Sequence, residues 1–278
     1  MSFTSHLQAT NLMVVVGAKS PVDRRRKALE RVNKELSRGK YETALSLVKQ
    51  FKSSKHHGCC LSAFASAKLL PKKSPPLSDT FERLIDSVSR TFESVSAEAI
   101  QEHNKATTCE EDRFAVVQHE SGHFLVGYLL GVLPRRYEIP DLEAMRDDDN
   151  VVTGRVEFVG FEFLKQVGGA NQFMRDDVSV SSKTLNNFSC VVLGGMVTEH
   201  MLFGYSEGFY SDAVKLESVL QWRGFTEREE KAGHVRWAAS NAVFLLHSYS
   251  EARVSLAEAM CKGKPISACI EAIESAIL

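Results

Sequence analysis

Apolar residues recur at helical spacing along most of the chain, and breaks in this pattern divide it into segments. Within residues 21–54, Leu29, Val32 and Leu36 lie three or four positions apart, and a second apolar stripe follows a break at Gly39. Residues at these intervals share one face of a helix, which can pack against a neighbouring helix. The first segment is therefore predicted to be a helical hairpin.

A change in composition separates this hairpin from the rest of the chain. Residues 55–78 are rich in Ser, Lys, Gly and Pro and are predicted to be a linker. A new helix is expected to start at Asp79, because Glu82 three positions later completes a pattern typical of a capping box. We therefore divide the chain into a flexible N-terminus over residues 1–20, the hairpin, the linker and a main domain over residues 79–278.

The main domain is predicted to be helical apart from one short β element. Residues 111–130 carry a broad apolar face typical of a helix, and residues 182–278 are helical in pattern between glycine-containing breaks. Between them, residues 135–139 and 151–163 are rich in Val, Ile, Tyr and Phe with partial alternation, which indicates an antiparallel ribbon. The sequence thus predicts a mostly α fold with a small antiparallel β ribbon.

Charge and hydropathy narrow the classes of function. The 278 residues include 34 Lys and Arg against 35 Asp and Glu, which gives a formal net charge of -1. A nearly neutral chain has no overall field that attracts nucleic acid, so no nucleic-acid partner is expected. The most apolar stretch, residues 124–133, is shorter than the ~20 residues that a membrane-spanning helix needs, so no transmembrane segment is expected either.

Two local clusters have alternative interpretations. His56 and His57 stand beside Cys59 and Cys60 in the predicted linker and could hold a metal, but the ligand spacing of a tetrahedral site is missing. We therefore treat them as linker residues and leave their role open.

The six cysteines show no framework spacing and are expected to be free thiols. The basic run at residues 24–27 could contact a phosphate, although a solvated helix face is the favoured interpretation.

Residues 119–123 read His-Glu-Ser-Gly-His, an HExxH pattern inside a predicted helix. Residues four apart lie on one helix face, so the imidazoles of His119 and His123 can reach one ion while Glu120 projects beside them. Zinc lowers the pKa of a bound water toward ~7, and Glu120 would take its proton as the water attacks a peptide carbonyl. The pattern predicts two metal ligands and a general base. Gly122 costs a helix ~1 kcal/mol relative to alanine, which indicates that something approaches the backbone closely.

Further along the chain, residues 193–195 read Leu-Gly-Gly and residues 211–212 read Ser-Asp. In this order the chain resembles the peptidase domain of the FtsH-type family of ATP-dependent zinc proteases. The resemblance implies that Asp212 is the third zinc ligand, with a helix N-cap as the alternative role for this residue. The glycine pair would let its helix pack closely on the metal helix. Glu199, on the same helix, is expected to accept the second N–H of a ligating histidine.

Family members also carry an ATPase module, whose phosphate-loop pattern GxxxxGK[ST] does not occur in these 278 residues. The resemblance therefore implies an ATP-independent zinc endopeptidase that cleaves flexible peptides or unfolded proteins. The chain is similar to short FtsH-like proteins of plants. This similarity implies the chloroplast as the location of the protein, with the cytoplasm as the alternative. Assembly as a homo-oligomer or with full-length FtsH-type proteases follows from the same resemblance.

A second hypothesis comes from another class of protein. The chain could be a catalytically silent zinc-binding scaffold or interaction protein that keeps its metal ligands. Loss of the ATPase module favours this alternative. The retained Glu120 favours the enzyme, because a purely structural zinc site needs no base at that position.

Overall fold

Helices make up most of the chain in a computed structural model, which describes residues 20–53, 61–72, 77–95, 109–141, 154–167 and 180–277. The helices and strands, in chain order, are α1 (Pro21–Ser37), α2 (Tyr41–Ser53), α3 (Asp79–Val95), α4 (Cys109–Leu129), β1 (Pro134–Glu138), β2 (Arg155–Phe158), α5 (Leu164–Val167), α6 (Ser182–Phe203), α7 (Tyr210–Trp222), α8 (Arg228–Ser248), α9 (Ser250–Cys261) and α10 (Ile266–Ile277). The predicted mostly α fold with a small antiparallel ribbon is confirmed.

Helices α4 and α6 form the centre of the molecule. They pack against each other, α4 also contacts α9, and α6 also contacts α8. Every side chain of α6 from Asn187 to His200 is buried, as expected of a helix covered on all sides. Ser181 is the N-cap of α6, and its hydroxyl accepts a hydrogen bond from the Thr184 backbone N–H. Gly204 is the C-cap, with a positive φ of 83°.

The predicted helical hairpin is formed by α1 and α2, and it packs against α10 at the other end of the chain. Ser20 caps α1 by accepting a hydrogen bond from the Asp23 backbone N–H. Arg25 is buried and binds both carboxylate oxygens of Glu271 on α10, at 2.9 and 2.7 Å. The expectation of a solvated basic face is therefore wrong at this position, because an ion pair between distant segments holds Arg25 inside the protein.

Part of the connecting segment also packs in the core. Leu61, Ala63 and Phe64 are buried in the same hydrophobic cluster as the hairpin and the central helices. The Glu274 carboxylate on α10 fixes this segment, since it accepts hydrogen bonds from the Ala63 backbone N–H at 3.1 Å and from the Tyr128 hydroxyl at 2.7 Å. Glu274 is completely buried, so these donors replace the water that a carboxylate requires.

The two strands form an antiparallel ribbon in which Arg136 pairs with Glu157 and Glu138 pairs with Arg155. The register shifts between Pro134 and Arg136, which is the position of a β-bulge. Opposite charges face each other across the ribbon, an arrangement that stabilises an antiparallel pair. The ribbon packs on α4, so it lies against the helix that carries the HExxH pattern.

Along the parts of the chain that the structure describes, no helix is both long enough and apolar enough to span a membrane. The N-terminal residues 1–19 lie outside the described residues, as do His56, His57, Cys59 and Cys60. The predictions for these residues therefore stay predictions.

We expect Tyr128→Phe to lower the free energy of unfolding by about 1–3 kcal/mol, because Glu274 would lose one donor and keep its charge in the core. Tyr210→Phe is the matched control, since the Tyr210 side chain is exposed, and it should change stability by less than about 0.5 kcal/mol. Urea denaturation of the two variants and the wild type gives the comparison. Equal stability of all three proteins would contradict the role assigned to the Glu274 hydrogen bonds.

Candidate metal centre

Helices α4 and α6 cross with backbone against backbone. A Cβ atom placed on Gly194 would lie 2.9 Å from the carbonyl oxygen of Gly122, and a Cβ on Gly122 would overlap the Gly194 carbonyl and the Thr198 side chain. Only glycine fits on both sides of this crossing. The predictions that Gly122 marks a close approach, and that the Leu-Gly-Gly element lets its helix pack against the HExxH helix, are confirmed.

His119 and His123 lie one helical turn apart on the buried side of α4. Their relative exposures are 5% and 7%, and their Nε2 atoms are 2.9 Å apart. The His119 ring fits because Gly195 has no side chain, since a Cβ there would overlap the imidazole. The crossing of the two helices therefore creates the space that both rings share.

Asp212 completes the cluster from α7. Its Oδ2 atom lies 3.0 Å from His119 Nε2 and 2.8 Å from His123 Nε2. The alternative role at a helix N-cap does not apply, because Phe209 occupies that position and Asp212 lies inside the first turn. The structure thus brings all three predicted ligands together.

The far side of each ring has a different kind of partner. His123 Nδ1 is 2.7 Å from the Val191 carbonyl oxygen, which only accepts, so Nδ1 carries the hydrogen and Nε2 presents a lone pair. His119 Nδ1 is 3.3 Å from Glu199 Oε1, an ion-pair contact rather than a well-aligned hydrogen bond. In the neutral form of both rings, two Nε2 lone pairs and the Asp212 carboxylate converge within 3.0 Å. Three electron-pair donors this close repel one another unless a proton or a metal cation lies between them.

Glu199 lies beside His119, as predicted, but without a well-aligned hydrogen bond to it. Its Oε1 atom faces His119, while its Oε2 atom accepts hydrogen bonds from the Ser206 hydroxyl and from the backbone N–H groups of Glu207 and Gly208, at 3.1 and 3.3 Å. The carboxylate therefore ties the His119 ring to the loop between α6 and α7. Such partners orient ligating histidines in metal sites.

Glu120 points into a cavity of about 430 Å³ beside the cluster. One nitrogen of each histidine and one oxygen of Glu120 lie within 4.8 Å of one another. Glu120 Oε2 is buried and has no hydrogen-bond partner among the described residues. Phe158, Phe161 and Phe188 line the same cavity and supply an apolar wall. A buried carboxylate oxygen without a hydrogen-bond partner is thus held beside the donor cluster.

The charges of the cluster shift the titration of its members. Burial opposes a charge on His119, but the nearby carboxylates of Asp212 and Glu199 outweigh burial and raise the pKa of this imidazole well above its ordinary value. Burial also opposes ionisation of Asp212, yet the facing histidines lower the pKa of its carboxyl well below the usual range. Burial raises the pKa of Glu120, which suits a group that accepts a proton.

The donor set fits a zinc ion. Zinc takes imidazole nitrogens and carboxylate oxygens at about 2.0–2.2 Å in tetrahedral geometry, which corresponds to donors about 3.3 Å apart. The three donor atoms here are 2.8–3.0 Å apart, so each side chain needs to move outward by only a few tenths of an ångström. His119, His123 and Asp212 would hold the ion.

His200, adjacent to Glu199, has a different role from its neighbour. Its ring lies between the Ser87 and Thr91 hydroxyls of α3, with Nδ1–Oγ and Nε2–Oγ1 distances of 3.3 and 3.1 Å. His200 therefore joins α6 to α3.

One functional candidate that sequence reasoning missed is Lys215, whose Nζ atom is 3.0 Å from Asp212 Oδ1. A lysine one turn after an acid on a helix gives no distinctive signal in a single sequence.

Comparison of the chain with known protein families, with curated proteins and with solved structures gives no match.

A methyl group at Gly195 is expected to disturb the cluster, because it would push the His119 ring away from Asp212. Gly195→Ala should weaken zinc binding by at least about tenfold, the smallest loss usual when ligand orientation is disturbed. Gly233→Ala on α8 is the matched control, since a Cβ there meets nothing within 4 Å, and it should leave zinc affinity unchanged. Competition with a chromophoric chelator measures both affinities. Wild-type affinity in Gly195→Ala would contradict this arrangement.

We also expect zinc binding near neutral pH to release protons, because the raised pKa of His119 favours the protonated ring in the metal-free protein. The protonated ring stabilises the metal-free fold below the ordinary histidine pKa, and this contribution is lost as pH rises through the raised value. Calorimetric titration with zinc in two buffers of different ionisation enthalpy measures the released protons. An enthalpy that is the same in both buffers would contradict the prediction.

Proposed function

We propose that this chain is a zinc-dependent, ATP-independent endopeptidase of the FtsH type that cleaves flexible or unfolded polypeptides. The donor set of two histidines and an aspartate, the HExxH pattern on a buried helix and the resemblance stated above support the proposal. Location in the chloroplast, and assembly as a homo-oligomer or with full-length FtsH-type proteases, stay predictions of that resemblance.

The observation that carries the proposal is the position of Glu120. Its Oε2 atom is buried and lacks a hydrogen-bond partner within the described part of the chain, and the Glu120 residue lines a cavity. A buried acceptor without a partner costs ~1–3 kcal/mol. A site that served only to hold a structural metal would gain nothing from this cost, whereas a general base needs a free oxygen directed at its substrate.

The residues of the site divide the chemistry between them. When bound, a zinc ion supplies a Lewis acid that polarises a carbonyl group and acidifies water. Glu120 would accept the proton of the attacking water and return it to the amine of the departing product. The Val191 carbonyl accepts the Nδ1 hydrogen of His123 and leaves Nε2 of that ring free for a metal, and Glu199 lies 3.3 Å from Nδ1 of His119. The cluster is thus organised before a substrate enters.

The cavity supports a polypeptide in extended form as the substrate. Its volume of about 430 Å³ is that of a small ligand site, so it admits a few side chains but no folded domain. The wall formed by Phe158, Phe161 and Phe188 offers apolar contact, and β2 lies along the same cavity. A bond would therefore have to lie in a flexible segment in order to reach Glu120.

Glu120→Gln tests the function directly, because glutamine keeps the shape of the side chain and cannot take the proton. We expect cleavage of unfolded casein by the zinc-loaded protein to fall by about 10²–10⁴-fold. The zinc content should stay equal to that of the wild type, since Glu120 is not one of the proposed ligands. Cleavage is measured by the release of acid-soluble peptide.

The scaffold hypothesis gives a different result in the same experiment. If the wild type and Glu120→Gln are equally inert while both retain stoichiometric zinc, the endopeptidase proposal fails and the scaffold remains. If His119→Ala/His123→Ala retains as much zinc as the wild type, the metal centre itself fails. The two failures are therefore distinguishable by measuring metal content beside cleavage.

A further inference from the structure

Lys215 lies one helical turn after Asp212 on α7. Its Nζ atom is 3.0 Å from Asp212 Oδ1, and it lines the same cavity as Glu120. Half of the lysine side chain is exposed, at 51%, whereas the aspartate side chain is only 10% exposed. The ammonium group therefore approaches a buried carboxylate from the solvent side of the site.

The two oxygens of Asp212 have separate partners. Oδ2 faces the Nε2 atoms of His119 and His123 at 3.0 and 2.8 Å, and Oδ1 faces the lysine. Rotation about the Cβ–Cγ bond of Asp212 would exchange its two carboxylate oxygens or turn both of them toward the imidazoles. An ammonium group that holds Oδ1 opposes this rotation, because moving Oδ1 would break a charge-assisted hydrogen bond.

We infer that Lys215 is a positioning residue that fixes Asp212, so that this carboxylate offers the single oxygen Oδ2 to a metal. The inference rests on the metal centre of the proposed function and adds a residue to it. The lysine acts through Asp212, and it sets how the aspartate binds the metal.

An ordinary surface ion pair would not have this effect. Exposed pairs three or four residues apart on a helix contribute only ~0.2–1 kcal/mol, because both partners are solvated in either state. Here one partner is buried and faces the donor cluster, so it cannot exchange the lysine for bulk water freely. Groups that hydrogen-bond to metal ligands typically change metal affinity by 10–100-fold.

The positive charge of Lys215 also repels a metal cation. This repulsion weakens metal binding, whereas the positioning of Asp212 strengthens it. The two effects differ in range. The Debye length is about 3 Å at 1 M ionic strength, so through-space repulsion is largely screened there, whereas the direct contact with Oδ1 persists. Affinity measured in about 1 M sodium nitrate therefore isolates the positioning effect.

The experiment compares Lys215→Met, Lys215→Arg and the control Lys262→Met in the full chain. Lys262 forms an exposed pair with Glu258 at 3.8 Å and is the C-cap residue of α9, outside the cavity lining. Zinc affinity is measured by competition with a chelator in about 1 M sodium nitrate. The visible absorption of the Co²⁺-loaded proteins reports how many ligand atoms surround the metal.

We expect Lys215→Met to bind zinc about tenfold or more weakly and to show an altered Co²⁺ spectrum, because both oxygens of Asp212 become free to approach the metal. Lys215→Arg keeps a charged donor and should restore affinity and spectrum, and Lys262→Met should match the wild type. Wild-type affinity and spectrum in Lys215→Met would overturn the inference while the metal centre stands. A wild-type protein that binds no zinc would overturn both.

Discussion

The close crossing of α4 and α6 is the constraint on which the site depends. Two helices with ordinary side chains at this crossing would stand further apart, and the HExxH face could not reach the backbone of α6. Gly122 and Gly194 remove that barrier, which brings the Val191 carbonyl to within 2.7 Å of His123. Each glycine costs its helix up to ~1 kcal/mol. The buried contact between the helices and the room made for His119 offset that cost.

This proximity forms a cavity, and it also brings together buried ionisable groups whose charges must be compensated. Two imidazoles and the Asp212 carboxylate meet where little water reaches them, and Glu199 adds a second negative group behind His119. Buried charges are costly unless they are paired. In the metal-free protein a proton on His119 provides the pairing, and a divalent cation would provide it for the whole cluster. The raised pKa of His119 and the proposed affinity for zinc therefore have the same origin.

Local patterns predicted the fold class and the identities at the centre of the site. Periodicity placed the helices and the ribbon, because each depends on neighbours in sequence, and the spacing of His119 and His123 fixed a shared face. The position of Asp212 came from the resemblance and could not follow from periodicity. Arg25 and Glu274 escaped prediction because their partners are far away in the chain, so nothing in the local pattern distinguishes them from surface residues.

The segment that leads into the ribbon also shapes the site. Gly154, just before β2, lies over Glu120, and a Cβ there would meet the Cγ and Oε1 atoms of the glutamate at 2.7 and 2.8 Å. A side chain at this position would press the carboxylate toward the histidines or fill the cavity. Gly195 thus clears space for the His119 ring and Gly154 clears space for Glu120, while Gly122 admits the backbone of α6. Glu120 Oε2 stays unpaired because the described residues around it offer it no donor, and the proposed role of Glu120 as a general base depends on such an unpaired oxygen.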